Sequence, residues 1–166
     1  MFKLIIAITL IFSLNCSFAH DPYIRYSKDV NPMDILKIEP RLLSIMATIS
    51  EFCKQNNITF IITSIIRDEK RNREVGGVSK THVEGRAFDF SIRSKWGWDD
   101  KLLDRMVKLV EDKHGDYGMY GVNRRQKIVV IHDVGSGRHA HVQVVKDYPH
   151  EMILLDNMMN LVKGNL

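Results

Sequence analysis

What most limits the folds open to this chain is a set of side chains that make chemical sense only together: His82 and Asp89, seven residues apart, and His141 about fifty residues further on. Two imidazoles and one carboxylate are the donors a borderline cation such as zinc prefers. Three protein ligands also leave the fourth tetrahedral position for water, as in catalytic sites and unlike closed structural ones. Gly85 lets the chain turn between His82 and Asp89, and Ala87 is small enough to pass close beneath a metal. A fold that uses this set must bring the segment around His141 back beside residues 82–89.

Local patterning supplies elements for such a fold. From Pro40, the apolar residues Leu42, Leu43, Ile45, Met46, Ile49, Phe52 and Cys53 recur at helical spacing until Asn56-Asn57 ends the pattern. Residues 58–66 form a β-rich apolar run that reads as a buried strand. Residues 67–81 read as a polar, basic, glycine-punctuated loop, long enough for a functional role to be expected. A second strand over 87–92 carries Asp89. A helix follows, with Asp99 and Asp100 at its positive end, a stripe of Leu102, Leu103, Met106, Val107 and Val110, and Lys113-His114-Gly115 at its close. Residues 127–134 and 138–145 flank Gly135-Ser136-Gly137 as a hairpin, and residues 151–162 read as a terminal helix. Residues 20–39 mix Pro22 and Pro32 with polar residues without a period, and read as an arm laid across the domain. There is no internal repeat and no low-complexity tract. The fold class expected is α+β, a single domain over residues 20–166 with a small, mainly antiparallel sheet and helices packed on one side.

Strand alternation puts His139, His141 and Gln143 on one face and Ala140, Val142 and Val144 on the other. If the turn pairs Val134 with Arg138, Asp133 lies opposite His139 on the ligand face and His132 points away. His139 is then the candidate base or transition-state donor, and Asp133 its orienter or the base itself. Arg67 ends the buried strand just before the loop leading to His82, where a guanidinium could grip a substrate carboxylate in two-pronged fashion; an ordinary salt bridge is the alternative. Arg71, Arg73 and Lys80 read as a solvated loop face, and Trp96 and Trp98 as core or rim residues. His20, His114, His132 and His150 have no partner pattern and read as surface or capping residues.

The run His82-Val-Glu-Gly85-Arg-Ala87-Phe-Asp89, followed by His139-Ala-His141, resembles the zinc D-Ala-D-Ala carboxypeptidase, endolysin and hedgehog-like peptidase superfamily. Ser64-Ile-Ile-Arg67 and Asn72-Arg-Glu-Val-Gly76-Gly77 are similar to that family's strand, arginine and glycine turn. The resemblance implies that His82, Asp89 and His141 hold Zn2+ and that Arg67 helps bind or orient substrate. It also implies a hydrolase acting on peptidoglycan stem peptides through a metal-activated water. Two positions depart from the pattern: Lys80 stands where many members have serine, and Arg138 where many have an acid. The second departure favours an alternative, a zinc-stabilised cell-wall or protein-binding module without turnover. Metal-assisted hydrolysis of another amide or ester is a third reading.

Residues 1–19 combine Lys3, an apolar run over 4–14 and the small residues of Ser17-Phe18-Ala19, the pattern of a secretory signal peptide. The run is shorter than the ~20 residues a spanning helix needs, so no stable membrane insertion is expected after cleavage. Loss of Lys3 from 24 basic residues, against 20 acidic ones, lowers the formal charge from +4 to +3. That permits loose attraction to an anionic wall, but with no basic stripe interleaved with aromatics, nucleic acid is not an expected partner. Cys53 is left as a single thiol on an apolar helical face, which excludes an internal disulfide. The chain is thus expected to act outside the cytoplasm, secreted or periplasmic, as a monomer.

Overall fold

Five strands form the main sheet in the order β1–β2–β3–β7–β6, from β1 (Ile24–Tyr26), β2 (Thr59–Ser64), β3 (Ala87–Arg93), β6 (Val129–Val134) and β7 (Gly137–Gln143). The computed structural model describes residues 21–77, 79–93, 100–120, 124–134 and 137–146. The leader expected over 1–19, His20, Trp96, Trp98, His150 and the helix expected over 151–162 lie outside the described residues. Every neighbouring pair in the sheet is antiparallel except β1 with β2, which run parallel. Among the described residues three α-helices accompany the sheet: α1 (Pro40–Gln55), α2 (Glu69–Glu74) and α3 (Asp100–His114). A two-stranded ribbon of β4 (Met119–Tyr120) and β5 (Arg124–Arg125) stands apart. The mainly antiparallel α+β class read from the sequence is the one observed.

The sheet is two-faced because its residues alternate. Phe60, Ile62, Phe88, Phe90, Ala140 and Val142 share one face and are fully buried, packing in one core with Leu42, Ile45, Met46 and Ile49 of α1 and Leu103, Met106 and Val110 of α3. Phe60 and Phe90 meet edge to face, with ring centroids 5.6 Å apart. With both long helices on that face, the other is left for polar residues, and Ser64, Asp89 and His141 lie on it in register.

Three local expectations are corrected. The N-terminal arm contributes an edge strand, β1, and a 3-10 turn over Pro32–Lys37; both are too short to show a period. The supposed loop over 67–81 contains α2, started by Asp68, whose carboxylate accepts from the Arg71 amide at 2.7 Å. The hairpin closes on Val134 opposite Gly137, one residue tighter than expected. Because side chains alternate with a period of two, that slip exchanges faces: Asp133 lies opposite Arg138, and His132 lies opposite His139.

The turn over 81–85 joins α1 to the site. Gly85 has φ +69°, and its carbonyl accepts from the Glu39 amide at 2.8 Å, beside the start of α1. A Cβ at Gly85 would sit 2.7 Å from the Lys37 carbonyl oxygen, so both the backbone angle and the space require glycine. Arg41, almost fully buried, forms an ion pair with Glu39 and donates to the Val145 carbonyl at 2.6 Å, clasping the start of α1 to the chain beyond β7.

Candidate metal centre

Asp89 is directly opposite His141 where β3 and β7 pair, so the carboxylate and one imidazole are brought together by sheet register alone. His82 comes from the turn just before β3, and its Nδ1 donates to the Ile65 carbonyl at 2.7 Å. That bond sets the tautomer: Nδ1 carries the proton and Nε2 presents its lone pair. Nε2 then faces Asp89 Oδ1 at 3.1 Å, while His141 Nδ1 faces the same oxygen at 2.7 Å. A lone pair facing a carboxylate oxygen is repulsive unless a proton or a cation lies between them. One donor atom from each of His82, Asp89 and His141 lies within 4.8 Å of the others, so a single ion could touch all three. The chemistry of this donor set fits zinc.

Asp89 is 3% exposed. Burial pushes its carboxyl pKa up, but the imidazoles of His141 and His82 packed against it hold it well below the usual carboxylate range. Its second oxygen, Oδ2, is taken by the Arg67 guanidinium, which also donates from Nε to Ser64 Oγ at 2.8 Å. A register shift between Ile62 and Ser64 puts the Ser64 position level with Asp89.

These residues line a cleft of about 810 Å³. Around it stand Asp29 and Asp34 from the N-terminal arm, Arg71 and Asn72 from α2, Ser79, and His132 and His139 from the hairpin. Asn72, buried, ties the loop after α2 by donating to the Gly77 and Ser79 carbonyls at 3.2 and 2.9 Å. A family model described as Peptidase M15 matches residues 25–131.

The chain belongs to the peptidase M15 family.

This is the zinc D-Ala-D-Ala carboxypeptidase-like family, and the metallopeptidase class follows from it. No curated protein matches the chain. The matched span includes Arg67, His82 and Asp89 but ends before His139 and His141, so for this M15 chain it is the sheet register that brings His141 into the cluster.

The geometry distributes the remaining sequence candidates unevenly. His139 lies on the cleft face, and Arg67 is at the cleft but engaged with Asp89. Asp133 is exposed, opposite Arg138 and away from His139, so the tighter hairpin removes the contact that would have let it orient that imidazole. Arg138 makes an ion pair of 2.7 Å with Asp100 at the start of α3.

His132, read from the sequence as a surface or capping residue, instead faces the cleft, its ring 5.4 Å from that of His139 and 5.6 Å from that of His141. Burial and the neighbouring imidazoles push its pKa down. The signal that could have found it is Gly135-Ser136 itself, a dipeptide suited to a two-residue hairpin loop. His114 is likewise buried and not at the surface: the Thr48 hydroxyl, which donates to the Ser44 carbonyl, accepts from its Nε2 at 2.8 Å.

Proposed function

We propose that the chain is an exported, monomeric zinc peptidase that hydrolyses peptide bonds in peptidoglycan stem peptides, with His82, Asp89 and His141 as the zinc ligands. The observation that carries this reading is the convergence of those three donors on one point at the cleft of an M15 chain. Zinc bound there supplies Lewis acidity for the scissile carbonyl and lowers the pKa of water to about 7. His139, on the cleft face, takes the proton from the attacking water and returns it to the leaving amine. Arg67 holds Asp89 in place and presents positive charge to a substrate carboxylate or to the developing oxyanion. Acidic side chains at one part of the cleft, Asp29 and Asp34, and basic ones elsewhere, Arg67 and Arg71, suit a peptide bearing both amino and carboxylate groups. Asp133 has no part in this mechanism.

Zinc-loaded protein incubated with purified murein should release new amino groups, and His82→Ala should lose both the zinc and the release. Zinc bound stoichiometrically without any new amino groups would sink the enzymatic reading. It would favour the alternative, a zinc-stabilised cell-wall or protein-binding module, to which Arg138, standing where many relatives have an acid and paired with Asp100, lends support.

A further inference from the structure

His132 and His139 occupy directly opposed positions on β6 and β7, and their rings, tilted by 34°, have centroids 5.4 Å apart. Opposed residues of an antiparallel pair have Cβ atoms about 4.5–5.5 Å apart on the same face, so the backbone already sets two imidazoles side by side. Two zinc–nitrogen bonds of about 2.0–2.1 Å at tetrahedral angles require nitrogens on the order of 3.4 Å apart, which rotation about the side-chain bonds of such a pair can reach. Both rings are only partly buried and both border the cleft. Nearby His141 turns its Nδ1 to Asp89 and so belongs to the other donor set.

We propose that His132 and His139 form a second, weaker divalent-metal site beside the His82–Asp89–His141 centre, and that filling it shuts the cleft down. Imidazole pairs suit zinc, nickel and copper. The second site is weaker for two reasons. It offers two neutral donors and no carboxylate, whereas Asp89 contributes a charge to the first. An ion already held by the triad also repels a second dication nearby. Inhibition follows because His139 cannot accept the proton of the attacking water while the lone pair that would take it is bound to a metal. That consequence rests on the role proposed above for His139; the binding itself does not.

The full chain, stripped with a chelator and dialysed against increasing Zn2+, should take up two equivalents by elemental analysis, the second at higher free metal. His132→Gln and His139→Gln, on different strands and each checked for native far-UV dichroism, should each weaken the second equivalent at least ~10-fold and keep the first. His82→Ala should lose the tight equivalent and keep the weak one. Peptidase activity should rise and then fall with zinc in the wild type, and His132→Gln should abolish the fall. Saturation of the wild type at one equivalent that disappears in His82→Ala would overturn the second site and leave the zinc-peptidase reading standing. A second equivalent that survives both glutamine variants would overturn it as well. A wild type that binds no zinc at all would overturn both readings.

Discussion

Arg67 and Asp89 form an ion pair that divides the two oxygens of the carboxylate between different partners, with Oδ2 held by the guanidinium and Oδ1 facing His82 and His141. The guanidinium is itself held by Ser64 Oγ, so a planar fork fixes the carboxylate's direction from the strand next door. Lysine at this position keeps the charge but cannot reach both partners in that geometry. Arg67→Lys should therefore bind zinc about 10–100-fold more weakly while folding normally, as read by competition with a chromophoric chelator. Unchanged affinity would show that the pair does not orient the ligand.

Glycine at position 85 carries both a positive φ and a close approach to the Lys37 carbonyl. Gly85→Ala should lower unfolding free energy by about 2 kcal/mol or more, from left-handed backbone strain together with the clash. The same turn holds His82, so zinc affinity should fall with it. Urea denaturation and a chelator titration on one preparation test both effects, and a loss of stability without weaker metal binding would uncouple the turn from the site.

Arg41 is buried against the carbonyls of Tyr117 and Val145 and pairs with the partly buried Glu39. Removing it leaves a carboxylate that water still reaches and buried carbonyls without their donor, at a cost of about 1–3 kcal/mol. Arg41→Ala should lower the urea midpoint accordingly while leaving the zinc affinity of the folded fraction intact. A midpoint within experimental error of wild type would mean that Arg41 is no clasp.

Burial, aided by the charge of Lys113, lowers the pKa of His114 to about 4, below the ordinary histidine value of 6.5. With the folded value below the unfolded one, the unfolded chain binds more protons between those limits. The contribution of neutral His114 is therefore complete above about pH 6.5 and declines as the pH falls towards 4, by up to about 3 kcal/mol. His114→Gln does not titrate, so the difference in stability between wild type and variant should change across that window and be flat above it. A pH-independent difference would mean that the imidazole titrates normally.

How much of the molecule could be read beforehand depended on the range of the interaction that decides each feature. The stripe from Leu42 to Cys53 identified α1, and the apolar runs before Arg67 and around Asp89 identified β2 and β3, because periods of 3.6 and 2 are local consequences of backbone geometry. The short helix α2 was missed although Asp68 and the helix-forming run behind it carried the signal. The polar character of that run spoke for a loop.

His82, Asp89 and His141 were legible because donor chemistry belongs to the side chain wherever it is placed. Their meeting was not, since the register of β3 with β7 joins segments 52 residues apart in sequence. The exchange of Asp133 for His132 at the cleft came from a hairpin one residue tighter, which flips every side chain of the strand from one face to the other. The burial of Arg41 and His114 and the grip of Arg67 on Asp89 likewise depend on what tertiary packing sets against them. The sequence by itself determined which chemistry the chain could perform and which segments would be helix or strand; only the tertiary structure decided which face each strand turned to the cleft, because pairing across the sheet is settled by long-range contacts that no local pattern encodes.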